Sequence, residues 1–376
     1  MVRGGHRGDP EAGDRPRPVL HRGVNVLAAC VYEGSSRREL RLQRVPDPAP
    51  GRGEVLVRVR AAGICGTDLE ILDGLRLPPE VRWPVVLGHE VAGEVVEAGE
   101  DAEPWRPGHR VVVNPYVACG RCWSCLDGRQ TACRAPELIG LTRPGGWAEY
   151  ILVPAQNLFH LPGTLPFSVG ALLPDAVATA FHAVMTRGQL QPGQSVVVYG
   201  AGGVGTHAAQ LAKLFGGDPV IVVVRRQATE RRLQPLGVQV VVADGQNNPV
   251  REIRALTEGR GADLTVDFVS HPETVRVAVG ATRIGGRVVL VGVSDEPLVL
   301  PGSSYLVRRE IEIRSAFGAT PHEILTVTNL AASGRLDLSR SVTRVWPLVA
   351  IHEAIATLRA RPPEAVRYVV SPEGGS

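Results

Sequence analysis

Four thiols fall within 15 positions of one another, at Cys119, Cys122, Cys125 and Cys133. This spacing puts all four within reach of one tetrahedral ion. A set of four cysteines makes a closed, structural zinc site with no position left for a substrate. Four thiolates on a divalent ion leave a charge of −2, which nearby backbone N–H groups and Arg121 would offset. Two further metal-ligand side chains stand alone in Gly-rich stretches, Cys65 in Gly63-Ile64-Cys65-Gly66 and His89 directly after Gly88. A catalytic zinc keeps three protein ligands and one open position, and these two residues are candidates for it. A lone Cys or His is usually structural, so neither carries the assignment by itself. A third feature is Gly200-Ala201-Gly202-Gly203-Val204-Gly205, which follows the apolar run Ser195–Tyr199 and precedes a helical stretch, Thr206–Phe215. In that strand-before, helix-after setting the glycines permit a tight turn and let backbone N–H groups reach a pyrophosphate at the helix N-terminus.

The end of the next apolar run bears on the cofactor. An acidic residue about 20 positions beyond the loop ordinarily takes the ribose hydroxyls of NAD. Here the run Val220–Val224 ends in Val224, and Arg225 and Arg226 follow. Two guanidiniums suit a 2′-phosphate, so NADP is preferred over NAD. The alternative is a pair of solvated arginines, because arginine is the default cation of this chain and Lys213 is its sole lysine.

The elements that would position these residues fall into two kinds. Val55–Arg60 alternates apolar and charged residues, the mark of a half-buried strand. Val91–Val96, Arg110–Val113 and Tyr150–Val153 add strands separated by Gly and Pro turns. From Ser195 onward, short apolar strands alternate with helical stretches, at Ser195–Tyr199, Val220–Val224, Val238–Val242, Leu264–Phe268 and Arg287–Val291, the pattern of a parallel sheet covered on both faces. Pro166–Leu190 reads as a helix joining the two lobes, and a last strand is expected around Val366–Val370.

At 376 residues the chain is long enough for two domains. Hydrophobic content of 44% against 21% charged is that of an ordinary soluble enzyme, and no apolar run is expected to span a bilayer. A net charge of +3 with scattered basic residues argues against nucleic acid as a partner. Residues 1–24 read as a disordered tail without the apolar core of a signal peptide, which places the protein in the cytoplasm. There thiols stay reduced, so clustered cysteines point to metal before disulfides, and the isolated Cys30 reads as a small buried hydrophobe.

The four-cysteine spacing resembles the structural-zinc lobe of the zinc-containing alcohol dehydrogenase family, within the medium-chain dehydrogenase/reductase superfamily. Gly63–Asp68, Gly88-His89-Glu90, Gly146-Trp147-Ala148-Glu149-Tyr150 and the Gly200–Gly205 loop resemble it in the same order, over about residues 25–372. The resemblance implies an α/β protein with a GroES-like β-rich catalytic domain (25–178), a Rossmann doubly wound parallel-sheet domain (179–316) and a return segment (317–376) completing the catalytic domain. It implies Cys65 and His89 as ligands of a catalytic zinc, alongside the structural one. Asp175 is the carboxylate in register with the family's third ligand. A carboxylate in that apolar stretch needs a partner, which a metal supplies and a helix cap would also explain. Glu90 resembles an occasional ligand, and Asp68 the carboxylate that orients the ligand histidine. Thr67 resembles the hydroxyl that carries the alcohol proton. Glu70 stands where the family often has a histidine to end that relay, and its ordinary pKa near 4.3 predicts a changed pH profile. Arg367 resembles a cation on the pyrophosphate. Tyr116, Trp83 and Trp147 are candidates for an apolar pocket wall, or for core. The implied function is zinc-dependent, NAD(P)-linked interconversion of an alcohol and its ketone, with a homodimer or homotetramer by analogy. The alternative is a zinc-containing nucleotide-binding protein on the same fold without dehydrogenase activity.

Overall fold

The structure, a computed structural model, describes residues 25–34 and 37–374. The tail expected over residues 1–24 lies outside the described residues. Two antiparallel strands, β1 (Val26–Tyr32) and β2 (Glu39–Val45), open the first lobe, and the short β4 (Val85–Val86) pairs with β1 to make a three-stranded sheet. The larger sheet is built on β3 (Glu54–Ile64) and β5 (Glu90–Ala98), which pair antiparallel along most of their length. Between them the chain forms α1 (Gly66–Leu72). β6 (Arg110–Val113) flanks β5. The hairpin β7 (Tyr116–Val117) and β8 (Glu137–Leu138) brackets the cysteine lobe with its single turn α2 (Trp123–Leu126). β9 (Tyr150–Pro154) pairs with β3, and β10 (Leu158–His160) pairs with β6.

The expected alternation in β3 holds only at Val57–Arg60, because neighbours cover the strand on both faces beyond Ala61 and its last four residues are all buried. This burial rigidifies the strand that ends at Cys65. The pairing register puts Gly63 of β3 opposite Glu90 of β5, so the residues just beyond one strand end meet those just before the other.

The lobes are joined by a nearly continuous helical run, Phe167–Arg187. It contains α3 (Phe167–Gly170) and α4 (Ala178–Phe181), each followed by or following a π-helical turn, at Leu173–Val177 and His182–Arg187. By length and composition this run could cross a membrane, contrary to the expectation from the sequence. Its most apolar stretch is 78% buried, packed into the core against the second lobe and strands of the first. A core helix explains its apolarity.

The second lobe is a six-stranded parallel sheet of β11 (Val196–Tyr199), β12 (Val220–Val224), β13 (Gln239–Val242), β14 (Ala262–Asp267), β15 (Thr282–Leu290) and β16 (Glu312–Ser315). Its order, β13-β12-β11-β14-β15-β16, is the Rossmann arrangement of two mononucleotide-binding halves. Helices α5 (Gly203–Leu214), α6 (Glu230–Leu233), α7 (Pro249–Leu256), α8 (Pro272–Ala281) and α9 (Ser303–Arg309) are the connections. β12 is buried at every position, which explains its unbroken Val/Ile sequence. Helix α10 (Pro321–Ala332) packs on the joining helix. The chain then returns to the first lobe through β17 (Val342–Pro347), α11 (Ile351–Arg359) and β18 (Arg367–Ser371), which pairs with β3.

Candidate metal centres and dinucleotide cleft

Cys65 is the N-cap residue of α1, and its backbone N–H donates to Asp68 Oδ2 at 2.8 Å. His89 precedes β5, and the β3–β5 register delivers it beside Cys65. Asp175 comes from the first π-helical turn of the joining helix, a distortion found often at functional sites. Its Oδ2 lies 3.5 Å from His89 Nε2 and 3.9 Å from Cys65 Sγ, while Thr179 donates to Oδ1 at 3.3 Å. Glu90 completes the group, and one ligand atom from each of the four lies within 4.8 Å of those of the others. A thiol, an imidazole and two carboxylates drawn from three separate segments form a donor set that suits zinc.

The charges in this cluster interlock. Burial pushes the His89 imidazole down, but the Asp68 and Asp175 carboxylates outweigh it and hold it well above its ordinary value. Asp175 is lowered, burial being overcome by His89. Burial raises Glu90 well above the usual carboxylate range, against the pull of Arg367. Arg367 Nη2 stands 2.7 Å from Glu90 Oε1, yet neither side chain makes a well-directed hydrogen bond there, and both Glu90 oxygens are buried without one. Buried oxygens left in this state fit a cation as their partner. Asp68 is fully buried, and its Oδ1 faces His89 Nδ1 at 3.4 Å, which turns Nε2 toward Asp175. Gly63 makes room for Glu90, since a Cβ there would lie 1.9 Å from Glu90 Oε2.

Thr67 is half-buried, its hydroxyl 3.9 Å from Cys65 Sγ, and Glu70 on the next turn of α1 is exposed. The two therefore run from the cluster toward solvent. Water shed around the Glu70 carboxyl raises it from its ordinary value, against the charge of Arg361.

The four cysteines of the lobe also come together. Cys122 Sγ lies 3.5 Å from Cys125 Sγ, Cys119 Sγ 4.0 Å from Cys125 Sγ, and the Cys119 N–H donates to Cys133 Sγ at 3.3 Å. None is in a disulfide. Backbone N–H groups at Arg134 and Cys125 lower the Cys122 thiol to about 6, while burial pushes Cys125 up to about 12. A tetrahedral thiolate-binding ion fits this set, and the N–H donors match the offset of negative charge expected for it.

In the second lobe Gly202 caps α5, and the loop from Gly200 to Gly205, with Val204 in the first helical turn, lies at the carboxyl end of the sheet. Arg367 packs behind it, and a Cβ at Gly203 would lie 2.8 Å from the Arg367 guanidinium carbon. Arg367 is thus a buried link between the loop and Glu90. Arg225 and Arg226 are both exposed after β12, but they differ in commitment, since Arg226 Nη1 donates to the Arg361 carbonyl at 2.8 Å.

Of the three aromatic candidates, Trp147 belongs to the core. It is fully buried and donates to the Gly63 carbonyl at 3.3 Å. Tyr116 meets Phe317 edge-on at 5.8 Å, and Arg38 covers Trp83 at 4.9 Å. Asp267, unremarked in the sequence, accepts from the Val269 and Ser270 N–H groups and from Thr274 Oγ1, fixing a turn whose Val269 lies against Gly200. Its position at a strand end beside the Gly-rich loop is the one signal that marks it.

Two family models match, one described as alcohol dehydrogenase GroES-like domain over residues 51–163 and one as zinc-binding dehydrogenase over residues 203–333. An L-threonine 3-dehydrogenase of Thermococcus kodakarensis is 31% identical over 310 residues, covering 81% of this chain and 87% of the relative. A sorbitol dehydrogenase of Bacillus subtilis is 29% identical, covering 93% and 98%. Among solved structures, a zinc-binding dehydrogenase from Sinorhizobium meliloti 1021 bound to NADP superposes with a TM-score of 0.82 at 30% identity, covering 93% of this chain and all of that one.

Proposed function

The chain belongs to the zinc-containing alcohol dehydrogenase family, and from that premise we propose that it interconverts a secondary alcohol or polyol and its ketone by hydride exchange with NADP in preference to NAD. It is an oxidoreductase acting on CH–OH groups. The observation that carries the reading is the meeting of Cys65, His89, Glu90 and Asp175 from three separate segments. In this reading Cys65, His89 and Asp175 hold a catalytic zinc with Glu90 beside them, and Cys119, Cys122, Cys125 and Cys133 hold a structural one. When bound, the catalytic ion supplies Lewis acidity toward an alcohol or carbonyl oxygen.

The chain's own residues do the rest. Asp68 fixes the His89 tautomer from the Nδ1 side. The Thr67 hydroxyl takes the alcohol proton, and Glu70 passes it on, a role its exposure supports. The N–H groups of Gly202, Gly203, Val204 and Gly205 hold the pyrophosphate at the start of α5, with the Arg367 charge close behind. Arg225, with Arg226 next to it, takes the 2′-phosphate. The joining helix lets the catalytic domain (25–178, completed by 317–376) and the cofactor domain (179–316) bear on one cleft. Exposed Val293, Leu298, Val299, Leu300 and Val307, all in the connection between β15 and the edge strand β16, support a homodimer or homotetramer. The free thiols of both clusters suit the reducing cytoplasm.

The test is NADPH and NADH oxidation with a panel of ketones and keto-sugars, with zinc counted on the same sample. Turnover with a secondary ketone or ketose, faster with NADPH, supports the proposal. Binding of cofactor with no turnover across the panel contradicts it.

A further inference from the structure

One guanidinium ties the Gly-rich loop to the opposite lobe. Arg232 of α6 is half-buried and spends its donors on three acceptors in two stretches of chain. Nη2 donates to the Ala201 carbonyl, Nη1 to Thr206 Oγ1 at 2.7 Å, and Nε to the Pro363 carbonyl at 3.2 Å. The Thr206 hydroxyl in turn donates to the Gly202 carbonyl at 2.8 Å. Arg232 therefore holds one loop carbonyl directly and the next through a relayed hydrogen bond.

The consequence follows from peptide geometry. In a trans peptide the carbonyl and the following N–H point in opposite directions. Fixing the Ala201 and Gly202 carbonyls on the side of Arg232 therefore turns the Gly202 and Gly203 N–H groups away from it. These are the donors at the N-cap and first position of α5, where a helix N-terminus receives phosphate. Among the described residues Arg232 is in no ion pair with a carboxylate, so its charge is left to favour an anion on the far side of the loop.

The Pro363 contact adds a second constraint. Pro363 lies between α11 and β18, and Arg226 donates to Arg361 in the same stretch. That stretch leads into Arg367, which meets Glu90 and packs on Gly203. The loop is thus held by Arg232 on one side and bordered by Arg367 at Gly203, and both contacts reach the segment that returns to the catalytic lobe.

We propose that Arg232 is a positioning residue of the dinucleotide site, setting the N–H groups of the Gly200–Gly205 loop for a pyrophosphate and fixing that loop relative to the return segment. The inference rests on the reading of that loop as the pyrophosphate cradle.

Calorimetric titration of the zinc-loaded full chain with ADP and with 2′-AMP tests it. ADP carries a pyrophosphate, whereas 2′-AMP presents adenosine and a 2′-phosphate without one. Arg232→Leu is expected to weaken ADP about tenfold, or about 1.4 kcal/mol, and to leave 2′-AMP within about twofold. Arg232→Lys should recover part of the ADP affinity, since an ammonium can reach one of the carbonyls. Equal weakening of both ligands would overturn the proposal in favour of a general structural role. Loss of 2′-AMP alone would overturn it in favour of a direct 2′-phosphate contact, and unchanged ADP affinity would overturn it outright. A wild-type protein that binds 2′-AMP but not ADP would remove the cradle reading itself and the proposal with it.

Discussion

Arg367 Nη2 stands 2.7 Å from Glu90 Oε1, and both side chains are buried at the seam between the two lobes. The pair couples the start of β18 to the start of β5, and through Gly203 it touches the dinucleotide loop. Removing Arg367 takes away the foremost cation that offsets the burial of Glu90, and breaking a buried pair of this kind costs about 3 kcal/mol. Arg367→Met should therefore destabilise the zinc-loaded protein by that order in urea unfolding. The double variant Arg367→Met, Glu90→Gln should be less destabilised than the single one. Equal or additive losses would show that the two groups do not compensate each other.

Cofactor preference should follow the unequal commitment of the two arginines after β12. Arg226 already donates to the Arg361 carbonyl, while among the described residues Arg225 makes no hydrogen bond of that kind. Arg225→Asp is expected to lower kcat/KM with NADPH at least tenfold relative to NADH, a difference of about 1.4 kcal/mol. Arg226→Ala should shift the same ratio less. An unchanged ratio in Arg225→Asp would remove that residue as the determinant.

Acid stability should report on Glu323. It accepts hydrogen bonds from His182, Thr186 and the Thr320 N–H and hydroxyl, pinning the joining helix to α10. Burial raises its carboxyl, but these partners, His182 foremost, outweigh it and bring it from 4.5 to about 2. A depressed folded-state pKa gives stability that is complete above about pH 4.5 and is lost as pH falls toward 2, of order 3 kcal/mol. The stability gap between the wild type and Glu323→Gln should therefore narrow across that window in chemical denaturation at stepped pH. Comparing the two proteins cancels the acid sensitivity of the metal ligands, which they share. A gap that stays constant down to pH 2 would contradict the assignment.

Much of this architecture was legible in the chain because its physical causes are local. Val220–Val224 is an unbroken apolar run because its strand is covered on both faces, and Arg110–Val113 is likewise the strand expected. The Gly-rich settings of Cys65 and His89 mark them as candidates. Their meeting depends on the register of Gly63 against Glu90, which no local pattern encodes. Asp175 was distinguished by its apolar surroundings and by family resemblance, while the π-helical turn that presents it has no sequence signature. β16 and β17 carry no strand signature in the sequence because Glu312–Ser315 and Val342–Pro347 are mixed in polarity and half-exposed. For Trp147, read as pocket wall or core, the burial decides for core, which its place beside a site motif could not do. Arg232 carries no mark at all in a chain whose cations are nearly all arginine, and only its three carbonyl and hydroxyl contacts single it out.

The central claim is that Cys65, His89 and Asp175, with Glu90 beside them, form the catalytic metal centre while the four-cysteine lobe holds a separate ion. Zinc per subunit measured together with ketone-dependent NADPH oxidation, for the wild type and Cys65→Ala, tests it most directly. The account predicts two zinc ions and turnover in the wild type, and one zinc, no turnover and a near-native circular dichroism spectrum in the variant. A Cys65→Ala protein that keeps both ions and wild-type turnover would contradict it.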